Sequence, residues 1–76
     1  MNTEDIVREA LFEVRPYVED YEKLKATVNN VLGSGGSESL ERLKEILKLK
    51  IKDESEPFKT DLKILLQKIE AMGDKL

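Results

Sequence analysis

Cysteine, histidine and tryptophan are absent from this 76-residue sequence. Without cysteine there is neither a disulfide nor a thiolate nucleophile, and without histidine there is no imidazole to move protons near neutral pH. The usual ligands of a zinc site go with them, and so do the Glu-x-x-His motifs of carboxylate di-metal centres. No cofactor and no metal is expected. Aromatic residues are few, two Phe and two Tyr, and proline occurs only twice. No stretch reaches the ~18 consecutive apolar residues of a membrane span, and Met1-Asn2-Thr3-Glu4-Asp5 lacks the basic-then-apolar layout of a signal peptide. A cytoplasmic protein that does not enter membranes is the expectation. An excess of positive charge is also missing: the net charge is -3, which offers no general electrostatic attraction to nucleic acid.

What is present is an even mixture of hydrophobic (39%) and charged (38%) residues, set in helical periods that a disordered chain would lack. So short a chain forms one domain at most and buries only about 60% of its unfolded surface, which leaves little room for an enzyme cleft. It also raises the expectation of oligomerisation, since an unaided core of this size contributes only about 3–5 kcal/mol.

From Val7 to Val31, apolar residues fall at 7, 10, 14, 17, 21, 24, 28 and 31, the alternating three-four step of a heptad seam. Ile6, Leu11, Val18 and Leu32 widen it. Thr3 followed by Glu4 and Asp5 suits a helix start, because acids in the first turn face the positive end of the helix dipole. Pro16 interrupts the pattern, removing one backbone hydrogen bond. Either one long helix kinks there, or the helix ends near Val14 and restarts with Pro16 in its first turn. The unbroken seam favours the kinked helix, over 4–32. On that seam Tyr17 and Tyr21 are expected to pack their rings into the bundle.

Gly33-Ser34-Gly35-Gly36-Ser37 marks a boundary, since glycine ends helices and the run has nothing to pack. It lacks the Gly-Lys-Ser/Thr ending of a phosphate loop and follows a helix instead of a strand. It reads as a helix-helix connection, and it also looks like the Gly/Ser linker an engineer would insert. Ser37 or Ser39 can cap a second helix over 38–52, with Leu40, Leu43, Ile46, Leu47 and Ile51 on its buried face. Leu47 to Lys52 also alternates like a strand, but a lone short strand would have no partner, so helix is preferred. Asp53 to Pro57 ends that segment. Phe58, Leu62, Leu65, Ile69 and Met72 repeat the helical step over 57–72, with Gly73 as the stop. The sequence therefore predicts an all-α protein, an antiparallel three-helix bundle with a long, Pro-kinked first helix.

The function expected is a non-enzymatic helical protein-protein interaction or oligomerisation module. A helix over 4–32 would outreach the two later helices, roughly 43 Å against about 22–24 Å. Its N-terminal half would then present Ile6, Val7, Leu11, Phe12 and Val14 as a partner-binding face, for a second copy in a two-fold dimer or for another helical protein. One rival is an engineered scaffold without a cellular role. The other is a small nucleic-acid-associated regulator using Lys44, Lys48 and Lys52, spaced i, i+4, as an anion-binding patch, with Lys50, Lys59 and Lys63 nearby. No arginine cluster or stacking aromatic accompanies those lysines, and Glu41 and Glu45 sit at spacings that suit ordinary salt-bridged surface. The acidic pairs Glu9/Glu13 and Glu19/Glu22 fall on the polar side of the seam, so no catalytic residues are assigned.

Overall fold

Each turn of α1, Thr3–Val14, returns an apolar side chain to the same face, and Ile6, Val7, Ala10, Leu11 and Val14 are all buried. In the computed structural model, residues 2–36 and 38–73 are described. The α1 cap is Asn2, one residue earlier than expected, whose side-chain oxygen accepts the Asp5 N–H at 2.9 Å. The helix then ends. Arg15–Tyr17 tightens into a single 3-10 turn containing Pro16, the Arg15 N–H closing on the Phe12 carbonyl, and Val18 is fully extended. A second helix, α2, spans Tyr21–Val31 and buries Leu24, Val28 and Val31.

The expected kink is thus a break, and the bundle has four α-helices among the described residues, not three. Two physical reasons meet at the corner. Pro16 cannot donate the hydrogen bond that would continue α1. Beyond it, Asp20 turns its side chain to accept the Lys23 N–H at 3.1 Å and so starts α2 afresh. Tyr17, expected in the core, is 73% exposed because the break takes it off the seam. Tyr21 stays partly buried against the core, with the Arg15 guanidinium 5.4 Å from its ring centre.

After Val31 the chain continues through a π-helical turn, Leu32–Gly36, in which the Ser34 hydroxyl donates to the Asn30 carbonyl. Ser37 lies outside the described residues. Ser39 caps α3, Leu40–Asp53, accepting the Arg42 N–H at 3.1 Å. The alternation from Leu47 to Lys52 is helical throughout. Leu43, Leu47 and Ile51 are buried, and Leu49, the apolar residue that a strand would have placed with them, is 60% exposed. Replacing Ser39 with Ala should cost about 1 kcal/mol by orphaning a first-turn N–H. Thermal denaturation should show the midpoint falling by roughly 4–8 °C. An unchanged midpoint would mean that another group satisfies that donor.

The last helix, α4, Phe58–Gly73, is the centre of the molecule. It packs against both α1 and α3. It runs antiparallel to α1, since its Asp61 reaches Glu19 and Asp20 beyond the end of α1, and its Lys68 reaches back to Glu13 at 3.3 Å. It also runs antiparallel to α3: the two are joined by a short turn, and at the far end Gly73 sits so close to Leu40 that a β-carbon would stand 2.8 Å from its Cδ2. At the start of α4, Lys23 of α2 lies 4.4 Å from the centre of the Phe58 ring and 3.9 Å from the Glu54 carboxylate. Leucine, isoleucine and valine from all four helices form one continuous core. No helix among the described residues is long and apolar enough to cross a membrane.

Candidate functional site

The break at Pro16 decides the fate of the anticipated partner face. With α1 only 12 residues long, α4 (16 residues) is long enough to cover it. Ile6, Val7, Leu11 and Val14 are accordingly buried inside the chain, Val7 completely. They do not face water as a contiguous patch, which corrects that expectation. Phe12 alone of the five remains outside, 69% exposed. Its helical neighbours at i-4, i-3, i+3 and i+4 are Arg8, Glu9, Arg15 and Pro16, all exposed. Arg8 is engaged with Glu4 in an ion pair. The face therefore offers one bare aromatic ring within a polar surround.

Lys44, Lys48 and Lys52 lie along one flank of α3, Lys44 half-buried and the other two exposed. Lys44 Nζ would stand 3.7 Å from a β-carbon on Gly73, which puts this flank beside α4. Lys50 points elsewhere, into a cleft of about 290 Å³ between α2, the end of α3 and the start of α4. Lys23, Thr27, Asp53, Glu54 and Phe58 share that cleft. It is small for a ligand pocket. Its two cations balance its two anions, and Lys23 is already occupied by Glu54 and the Phe58 ring. Among the described residues no three acidic side chains converge where a cation could be held.

One residue that organises the molecule was not anticipated. Asp61, in the first turn of α4, is 2% exposed. Both of its carboxylate oxygens are used, Oδ1 accepting the Glu19 N–H and Oδ2 the Asp20 N–H, each at 3.0 Å. These are the amides released by the break after α1, and Asp20 is itself the cap of α2. The carboxylate therefore sits against the positive end of α2 as well as within the first turn of α4. A signal for it exists in the sequence. Position 61 lies three residues after Phe58 and four before Leu65, on the apolar stripe, and a lone acid there needs buried donors.

Comparison with curated proteins gives no match to this chain. The model of one family does match, over residues 4–74, a span that holds all four helices but for the first residue of α1. The chain belongs to the MJ1579 family.

Proposed function

We propose that the protein is a non-enzymatic helical interaction module that pairs with a second copy of itself through the outer face of α1. The observation that supports this is Phe12. Phe12, 69% exposed, is one of three large hydrophobic side chains left in water, with Tyr17 and Leu49, and it alone of them belongs to the apolar face of α1 that the sequence marks. Covering such a ring is worth about 1.5–3 kcal/mol. A two-fold pair would cover two of them, about 3–6 kcal/mol gross, where a Kd on the order of 1 mM needs about 4 kcal/mol net. Association itself costs several kcal/mol, so the dimer is a weak one that forms as concentration rises. It is not the obligate assembly that an incomplete core would require. Family membership on both sides of Gly33–Ser37 favours a natural connection there over an inserted linker.

Sedimentation equilibrium over a rising concentration series tests the reading. The wild-type chain should move towards dimer mass, and Phe12→Glu should stay monomeric with an unchanged melting midpoint. Changing Leu11 in the same experiment would confuse the result, because Leu11 is buried and its replacement by Glu would unfold the chain. A wild-type chain that remains monomeric at millimolar concentration rejects self-association.

A further inference from the structure

Lys44, Lys48 and Lys52 on α3 are three of five lysines in a larger arrangement. Gly73 marks the side of α4 that abuts α3, through its contact with Leu40 and Lys44. At 3.6 residues per turn, Lys59 lies about 40° and Lys63 about 80° around α4 from Gly73. Asp61 and Lys68, which face the α1 side, lie about 120–140° away in the opposite sense. Lys59 and Lys63 therefore flank α3. Because the helices are antiparallel, they stand across from Lys52 and Lys48. Two rows of lysines, each spaced i, i+4, thus border one seam at the usual helix-helix spacing of about 8–10 Å.

The ion pairs among the described residues engage Arg8, Lys23, Arg42 and Lys68, and none of these five lysines. Glu41, Glu45 and Glu70 border the seam towards its Lys44 end, Glu45 drawn to Arg42 at 3.8 Å, and Glu56, which accepts from the Thr60 hydroxyl, stands at its Lys59 end. The acidic excess of the chain belongs to residues 1–32, whose α1 lies across α4 from the seam. The molecule measures 30 × 24 × 18 Å, and charges separated by more than about 8 Å are largely screened at physiological salt. The net charge of -3 therefore does not govern what this flank attracts.

We propose that the α3–α4 seam binds the phosphate backbone of double-stranded nucleic acid, without reading sequence, through Lys44, Lys48, Lys52, Lys59 and Lys63. The chemistry favours phosphate over an acidic protein. Lysine is a flexible point charge suited to backbone contact, whereas protein interfaces are depleted in lysine and rich in arginine and aromatic anchors. The seam has neither arginine nor an aromatic ring, so it lacks the stacking platform of a single-strand binder and the forks that read bases. Phe12 is on the α1 side of α4, so duplex binding and self-association are independent.

The test is fluorescence anisotropy of a labelled 20-base-pair DNA of arbitrary sequence, titrated with the full chain at several salt concentrations. With all five lysines engaged, the logarithm of the binding constant should fall against the logarithm of salt with a slope of about -4.5, roughly 500-fold between 50 and 200 mM. The double variant K52Q/K63Q should bind more weakly and reduce the slope to about -2.7, roughly 40-fold over the same range. F12E should bind as wild type does, which keeps this result separate from the fate of the dimer. No binding at 50 mM salt overturns the proposal. So does a slope that K52Q/K63Q leaves unchanged, and so does binding to phosphatidylserine vesicles but not to the duplex.

Discussion

Replacing Asp61 with Ala should destabilise the protein by about 3–4 kcal/mol, a large part of the 5–15 kcal/mol that holds a small domain together. The side chain is 2% exposed and accepts two backbone N–H groups at 3.0 Å. An alanine removes both bonds, and hydrogen bonds to a charged group contribute about 1.5–3 kcal/mol each. Asparagine should not restore the loss. Its single carbonyl oxygen can serve one donor, but its amide group then points N–H at the other, and the charge facing the start of α2 is gone. Urea denaturation should show the midpoints of both variants well below wild type. Amide exchange should show the Glu19 and Asp20 N–H groups losing protection before the rest of α2. If Asp61→Ala unfolds at the wild-type midpoint, the corner between α1 and α2 is held by other contacts.

Replacing Leu62 or Leu65 with Ala should cost about 2–5 kcal/mol, the range for emptying a buried leucine site, with the larger values where neighbours cannot close in. Both are completely buried. They lie on the one helix that packs against both α1 and α3, so a cavity there loosens two interfaces at once. Lys63, between them in sequence and exposed, is the control. Its replacement by Ala should move the midpoint by less than about 0.5 kcal/mol equivalent. Equal shifts for the leucines and the lysine would mean that the buried face of α4 is wrongly assigned.

The second half of the chain was legible before the structure was. Of the residues that the three-four spacing selects, Leu43, Leu47 and Ile51 on α3 and Phe58, Leu62, Leu65 and Ile69 on α4 are buried, while Leu40, Ile46 and Met72 are half-buried at the edge of the core. The strand-like alternation around Leu49 misleads only over six residues, because the longer period on either side outweighs it. The first half was legible as apolar positions but not as a shape. The seam from Val7 to Val31 runs through Pro16 without a fault, since a periodic pattern records which residues are buried and not whether one helix buries them all. Of the anticipated partner face, four residues entered the core and Phe12 remained.

The sequence by itself determined the all-helical class, most of the positions of the core side chains, Ser39 as one of two candidate caps of α3 and the lysines available to a surface. These depend on neighbours within a turn or two, where 3.6-residue periodicity and capping chemistry act. Only the tertiary structure decided that α1 and α2 are separate helices, that Asp61 joins them, and that Lys59 and Lys63 come to lie beside Lys52 and Lys48. The reason is distance along the chain. Asp61 meets Glu19 and Asp20 across 42 and 41 residues, and no local preference of any of the three specifies that contact. It forms because a proline sets backbone donors free at a corner that the folded α4 reaches, and the buried Asp61 carboxylate must find donors.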